Sequence, residues 1–184
     1  DIYNAFYTPV KMRIFSWDKE IDTTLTPMDS IKYYMYFLNC GFMSMNPKTG
    51  HIKAWVGGIN YKHFKVDHVN IRTKRQPGST FKPFTYAFAI DNGVPPCTSF
   101  PNVPPVFKNF ESWVPKNADG SVGGSMTMRR GIALSVNLIA AQVLNQFNEA
   151  GPQGVIDLCR KMGITSDMKP YPTICLGAFD VSVF

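Results

Sequence analysis

Gln76-Pro77-Gly78-Ser79-Thr80-Phe81-Lys82-Pro83 places a serine and a lysine three positions apart where a tight turn runs into an apolar helix. Residues i and i+3 share a helix face, so the Ser79 hydroxyl and the Lys82 amine can meet without help from another segment. A proline inside a helix costs least in the first turn, where its missing N–H has no intrahelical partner, so Pro83 sets Ser79 at or beside the helix N-terminus. Unpaired N–H groups and the positive end of the helix dipole there favour negative charge developing on a serine oxygen or a bound acyl oxygen. Ser79 reads as a nucleophile and Lys82 as its base. The helix continues through Phe81, Phe84, Tyr86, Phe88, Ala89 and Ile90 almost without charge and stops at Asp91-Asn92-Gly93, with Gly93 as the C-cap glycine. Such a helix is expected to be buried, and desolvation would pull the lysine pKa down from about 10.4.

Spacing alone is weak support, because Ser-x-x-Lys also occurs at Ser16-Trp17-Asp18-Lys19 and Ser166-Asp167-Met168-Lys169. The first lies in a linker-like stretch and the second in a polar, proline-punctuated loop. Neither has a helix terminus to aim the pair, so both read as decoys. Ser-x-Asn likewise occurs twice, at Ser44-Met45-Asn46 and Ser135-Val136-Asn137. The first runs along a strand into a turn. The second joins two expected helices, Met128 to about Leu134 and Leu138 to Phe147, where a bent connection can aim both side chains into one cleft. Read by themselves, Ser135 and Asn137 would be capping residues; in a cleft, the hydroxyl could relay a proton and the amide hold a peptide carbonyl.

Working outward, Thr26-Pro27-Met28-Asp29 predicts a helix start with Thr26 as N-cap, and the helix should run to about Leu38. Residues 1–25 carry only a weak alternation around Val10, Met12, Ile14 and Phe15 and read as strand-like linker. Two apolar runs, 42–45 and 52–56, flank the breaker cluster Asn46-Pro47-Lys48-Thr49-Gly50 and predict a β-hairpin. Residues 94–125 are rich in proline and glycine and read as a long loop of functional or flexible type. Gly151-Pro152 opens a last helix ending at Gly163.

With 184 residues, 45% hydrophobic and 14% aromatic, the chain can bury a core and is globular. Its apolar runs fall short of the roughly 18 residues of a membrane span. Cys40, Cys97, Cys159 and Cys175 show no C-x-x-C or zinc spacing, which puts buried thiols ahead of disulfides. His63 and His68 are five apart and match no helical metal motif, so no metal or cofactor is expected. A net charge of +6 fits an anionic partner or plain solubility. The basic stretch from Lys62 to Arg75 is broken by Asp67 and carries no nucleic-acid motif, so nucleic acid is not an expected partner.

In this order, the motifs resemble the transpeptidase domain of class A penicillin-binding proteins, within the penicillin-recognising serine enzymes. Residues 76–83 look like the family's first motif and Ser135-Val136-Asn137, after residues 126–134, like its second. Asn46 to Gly58 is similar to the strand pair upstream of the nucleophile, and Thr26-Pro27, Asp91-Asn92-Gly93 and Leu176-Gly177 also fit. The resemblance implies an α/β (α+β) serine-transferase fold, here an N-terminal hairpin plus helical subdomain without its C-terminal core strands. It implies residues 1–25 as the end of a linker from a glycosyltransferase domain and 26–184 as the N-terminal part of the transpeptidase domain. By resemblance, Ser79 would be acylated by a D-Ala-D-Ala stem peptide or a β-lactam, and Lys82 would take its proton. Ser135 would pass a proton to the leaving group and Asn137 would hold the donor amide. The setting implied is the periplasmic face of a bacterial membrane, with the parent protein anchored by a segment outside these residues.

One feature departs from the family pattern. The family's Lys-Thr/Ser-Gly strand motif should follow the second motif, and the sole Lys-Thr-Gly, Lys48-Thr49-Gly50, sits upstream in a hairpin turn. It reads as a turn, and the chain is expected to end before the real motif. Loss of one oxyanion donor costs roughly 3–4 kcal/mol, so this segment alone is expected to be inactive. The rival readings are a β-lactam sensor or β-lactamase, and a non-catalytic scaffold that binds wall polymer.

Overall fold

In the computed structural model, which describes residues 1–184, the chain divides into residues 1–73 with 183–184, and residues 74–182. The first unit begins with α1 (Ile2–Tyr7), whose first turn is capped by the Asp1 side chain. Strands β1 (Val10–Ile14) and β2 (Ile21–Leu25) then form an antiparallel hairpin with Val10 opposite Leu25 and Ile14 opposite Ile21. The stretch that reads as strand-like linker is therefore a helix and a complete hairpin. The weak alternation has a physical cause, since Ile14 is the only fully buried residue on either strand. Arg13 and Asp22 pair across it at 2.7 Å on the exposed face.

Helix α2 (Pro27–Met35) starts where expected, with Thr26 Oγ1 accepting from the Asp29 N–H at 3.0 Å. It ends at Met35, short of Leu38. Phe37 instead joins an aromatic cluster with Phe15, Tyr34 and Phe64, at ring separations of 5.1, 6.3 and 5.7 Å. His63 packs on Phe15 and places Nε2 2.7 Å from Glu20. The expected hairpin is present as β3 (Phe42–Met45) and β4 (Ile52–Val56). In its turn, Asn46 Oδ1 accepts from the N–H groups of Lys48 and Thr49, which places Lys48-Thr49-Gly50 in the tip and not on a strand.

The second unit holds a 3₁₀ turn (Gly78–Phe81) running into α3 (Lys82–Asp91), then β5 (Ser99–Pro101), β6 (Ser125–Thr127), α4 (Met128–Ala133), α5 (Asn137–Asn145), α6 (Ala150–Lys161) and a second 3₁₀ turn (Pro172–Leu176). Helix α5 is its axis. Leu138, Ile139, Ala140, Ala141, Val143 and Leu144 are all 0% exposed, as a helix apolar on nearly every side requires. Phe81 of the first 3₁₀ turn and Val155, Ile156 and Cys159 of α6 join Ala141 and Leu144 in one core, while Tyr86 and Ala89 of α3 join Ile139, Ala140 and Val143 in another. The 94–125 stretch is not wholly irregular, because β5 pairs antiparallel with β6. Three-residue strands, one ending in proline, leave too short a pattern to read. Cys159 and Cys175 are buried thiols, pushed up to about 11 and about 12 by burial, whereas Cys40 and Cys97 are exposed free thiols.

Candidate active site

The turn that carries Ser79 is defined by its backbone. Gly78 has φ 55°, a left-handed conformation that glycine adopts without strain, and the chain then winds through the 3₁₀ turn into α3. Ser79 is exposed on that turn, and its carbonyl accepts the Lys82 N–H. Pro83 occupies the first turn of α3, so Ser79 stands at the helix start as the sequence indicates.

The turn is held from outside by the segment around Gly177. Gly78 N–H donates to Gly177 O at 3.3 Å, and Arg75 and Val181 exchange backbone hydrogen bonds of 2.9 and 3.0 Å. Gly177 has φ 69°, and a Cβ there would lie 2.2 Å from Gly78 O. Only a glycine allows this approach.

Lys82 points the other way, into the unit. It is 1% exposed, and its Nζ donates to Ser135 O at 2.5 Å, Ser135 Oγ at 3.1 Å and Asn137 Oδ1 at 2.7 Å. These acceptors match the three N–H bonds of an ammonium. Burial nevertheless pulls the lysine below its ordinary pKa, with Cys175 close enough for an opposing electrostatic effect. Within one turn of Lys82, the Thr85 and Tyr86 hydroxyls are buried without hydrogen-bond partners, and burial drives the Tyr86 phenol up.

Ser135 and Asn137 reach this point because the joint between α4 and α5 is sharp. Ser135 has φ 55°, a left-handed conformation uncommon for a residue with a Cβ and costing about 1–3 kcal/mol unless its surroundings hold it. The N-cap position of α5 is Val136, so neither Ser135 nor Asn137 caps a helix with its side chain. Asn137 instead uses both ends of its amide, Oδ1 toward Lys82 and Nδ2 donating to Lys116 O at 2.9 Å.

The structure thus brings Lys82, Ser135 and Asn137 together. It does not hydrogen-bond Ser79 Oγ to Lys82 Nζ, although the two residues are a single turn apart. Such contacts often tighten only in the complex with substrate. Sequence reading missed Asn117, whose Oδ1 accepts the Leu138 N–H at 3.0 Å and so caps α5 from 21 residues away. No local spacing could reveal a cap supplied by a distant loop.

Two family models match: the penicillin-binding protein middle domain over residues 1–38 and the penicillin-binding protein transpeptidase domain over residues 40–169. The chain belongs to the penicillin-binding protein transpeptidase family. Among its relatives, penicillin-binding protein 1A of Rickettsia prowazekii is 36% identical over 149 residues, which is 79% of this chain and 18% of that protein. The Aquifex aeolicus protein of the same name is 33% identical over 151 residues, 79% of this chain and 20% of that protein. The chain thus spans about a fifth of the length of these relatives. Penicillin-binding protein 1A of Haemophilus influenzae superposes with a TM-score of 0.69 at 27% identity, over 78% of this chain and 21% of that one. PonA1 of Mycobacterium tuberculosis, solved in complex with penicillin V, gives 0.64 at 22% identity over 85% of this chain and 44% of its own, a likeness of fold.

Proposed function

We propose that residues 1–184 supply the nucleophile side of a peptidoglycan D,D-transpeptidase. The observation that carries this is the buried Lys82 amine, held by Ser135 and Asn137 one turn after an exposed serine at a helix start. A neutral Lys82 takes the Ser79 proton as Oγ attacks the carbonyl between the two D-alanines of a stem peptide. The helix start and backbone N–H groups favour the oxyanion. The C–N bond then breaks, and Ser135 passes the proton held on Lys82 to the departing D-alanine amine. The Ser79 ester that remains is attacked by an amine of a neighbouring stem, which forms the cross-link, and Ser79 regains its proton. Asn137 orients the donor amide.

A β-lactam enters by the same attack, opening its ring and remaining on Ser79. The penicillin V complex of PonA1, which shares the fold, supports this extension. The reaction places the protein on the outer face of the cytoplasmic membrane. Within residues 1–184 no helix is long and apolar enough to cross that membrane. The test is the full-length protein with a D-Ala-D-Ala pentapeptide and an amine acceptor. Release of D-alanine with formation of the amide dimer is expected, and both should vanish in Ser79→Ala. Acylation without dimer would favour a β-lactam sensor, and no reaction at Ser79 would favour a scaffold.

A further inference from the structure

The long 94–125 loop has no part in the chemistry just described, yet it holds two of the few buried polar side chains of the molecule, Asn102 at 5% and Asn117 at 8% exposure. Asn117 is fully engaged. Its Oδ1 accepts from Leu138 N–H at 3.0 Å, and its Nδ2 donates to Asn102 Oδ1 at 2.9 Å and Ser121 O at 2.8 Å. Asn102 is anchored in turn, its N–H donating to Gly124 O at 2.9 Å and its carbonyl accepting from Gly123 N–H at 2.7 Å. The residue before Asn117 presents its carbonyl to Asn137 Nδ2.

An asparagine amide can be turned by 180° with little change of shape, exchanging its donor for its acceptor. With Nδ2 committed to a carbonyl, Asn137 has to aim Oδ1 at the Lys82 Nζ. Flipped, it would set an NH₂ against an ammonium and its oxygen against the Lys116 carbonyl. We propose that Asn117 is a positioning residue: it pins the 116–117 backbone to the start of α5, and the Lys116 carbonyl thereby fixes which end of the Asn137 amide faces Lys82. This rests on the transpeptidase reading for its catalytic consequence, but the pinning itself is a property of the fold.

The experiment uses the full-length protein, with Asn117→Ala, Asn137→Ala and the double variant. Rates of Ser79 acylation by a penicillin are followed by mass, and melting temperature is measured in parallel. Asn117→Ala is expected to slow acylation by about 10- to 100-fold, the scale of a small misplacement. In the Asn137→Ala background the same change should cost less than about threefold in rate while the loss of melting temperature persists in full. Multiplying rate effects, or an unchanged rate in Asn117→Ala, would overturn the proposal. A second readout does not need acylation. Hydrogen exchange at the first turn of α5 should accelerate in Asn117→Ala while that of α6 stays unchanged, and equal protection in both proteins would also overturn it. Should the wild-type protein fail to acylate, the transpeptidase reading falls and the exchange measurement decides the pinning separately.

Discussion

Lys82 carries two opposed demands. Its three acceptors favour the ammonium, while burial favours the neutral amine and holds the pKa below the ordinary lysine value. On the proposed mechanism acylation needs the neutral form, so its rate should rise with pH through that lowered pKa and level off above it. The folding linkage has the same sign. Between the folded-state pKa and the higher unfolded one, the unfolded chain binds the extra proton, so Lys82 contributes increasing stability as pH rises across that window. Lys82→Met should lose the pH-dependent limb and at least about 100-fold of the acylation rate, measured as penicillin adduct against time. A preserved limb would assign it to another group. At this scale the sequence was informative for Ser79 and Lys82 because turn, helix start and apolar continuation are all local. Ser135 and Asn137, 53 and 55 residues away, were legible as a second motif at a bent joint and through the family resemblance, but no local spacing could show that their oxygens accept from Lys82 Nζ.

Among elements, the 3₁₀ turn bearing Ser79 depends on the approach of Gly177. Gly177→Ala would place a methyl 2.2 Å from Gly78 O on a backbone at φ 69°, so either the 172–176 turn or the Ser79 turn has to move. A stability loss of about 1–3 kcal/mol is expected. A larger fractional fall in acylation than in folded population would follow if the Ser79 turn yields. Thermal melts and adduct kinetics on one preparation separate the two. The elements with strong end signals, α2, the β3–β4 hairpin, α3, α4, α5 and α6, were readable from caps, breakers and apolar period. The β1–β2 hairpin and the β5–β6 pair were not, because the first buries almost nothing and the second is three residues long. The cap on α5 escaped as well, since Asn117 reaches it through tertiary structure.

For the whole molecule, the ordered set of motifs in the sequence points to the family, and the match over residues 40–169 bears this out. The one Lys-Thr-Gly of the 184 residues lies in the tip of a hairpin and not on a strand. On the proposed transpeptidase reading, residues 1–184 expressed alone should acylate at least about 100-fold more slowly than the full-length protein, the scale of one lost oxyanion donor. Equal rates would show that these residues form a complete site. The most direct test of the central claim is the mass of the full-length protein after exposure to a penicillin, followed by peptide mapping. The account expects one antibiotic mass on the peptide containing Ser79 and none on Ser79→Ala. An adduct on Ser16, Ser166 or any other serine, or no adduct at all, would contradict it.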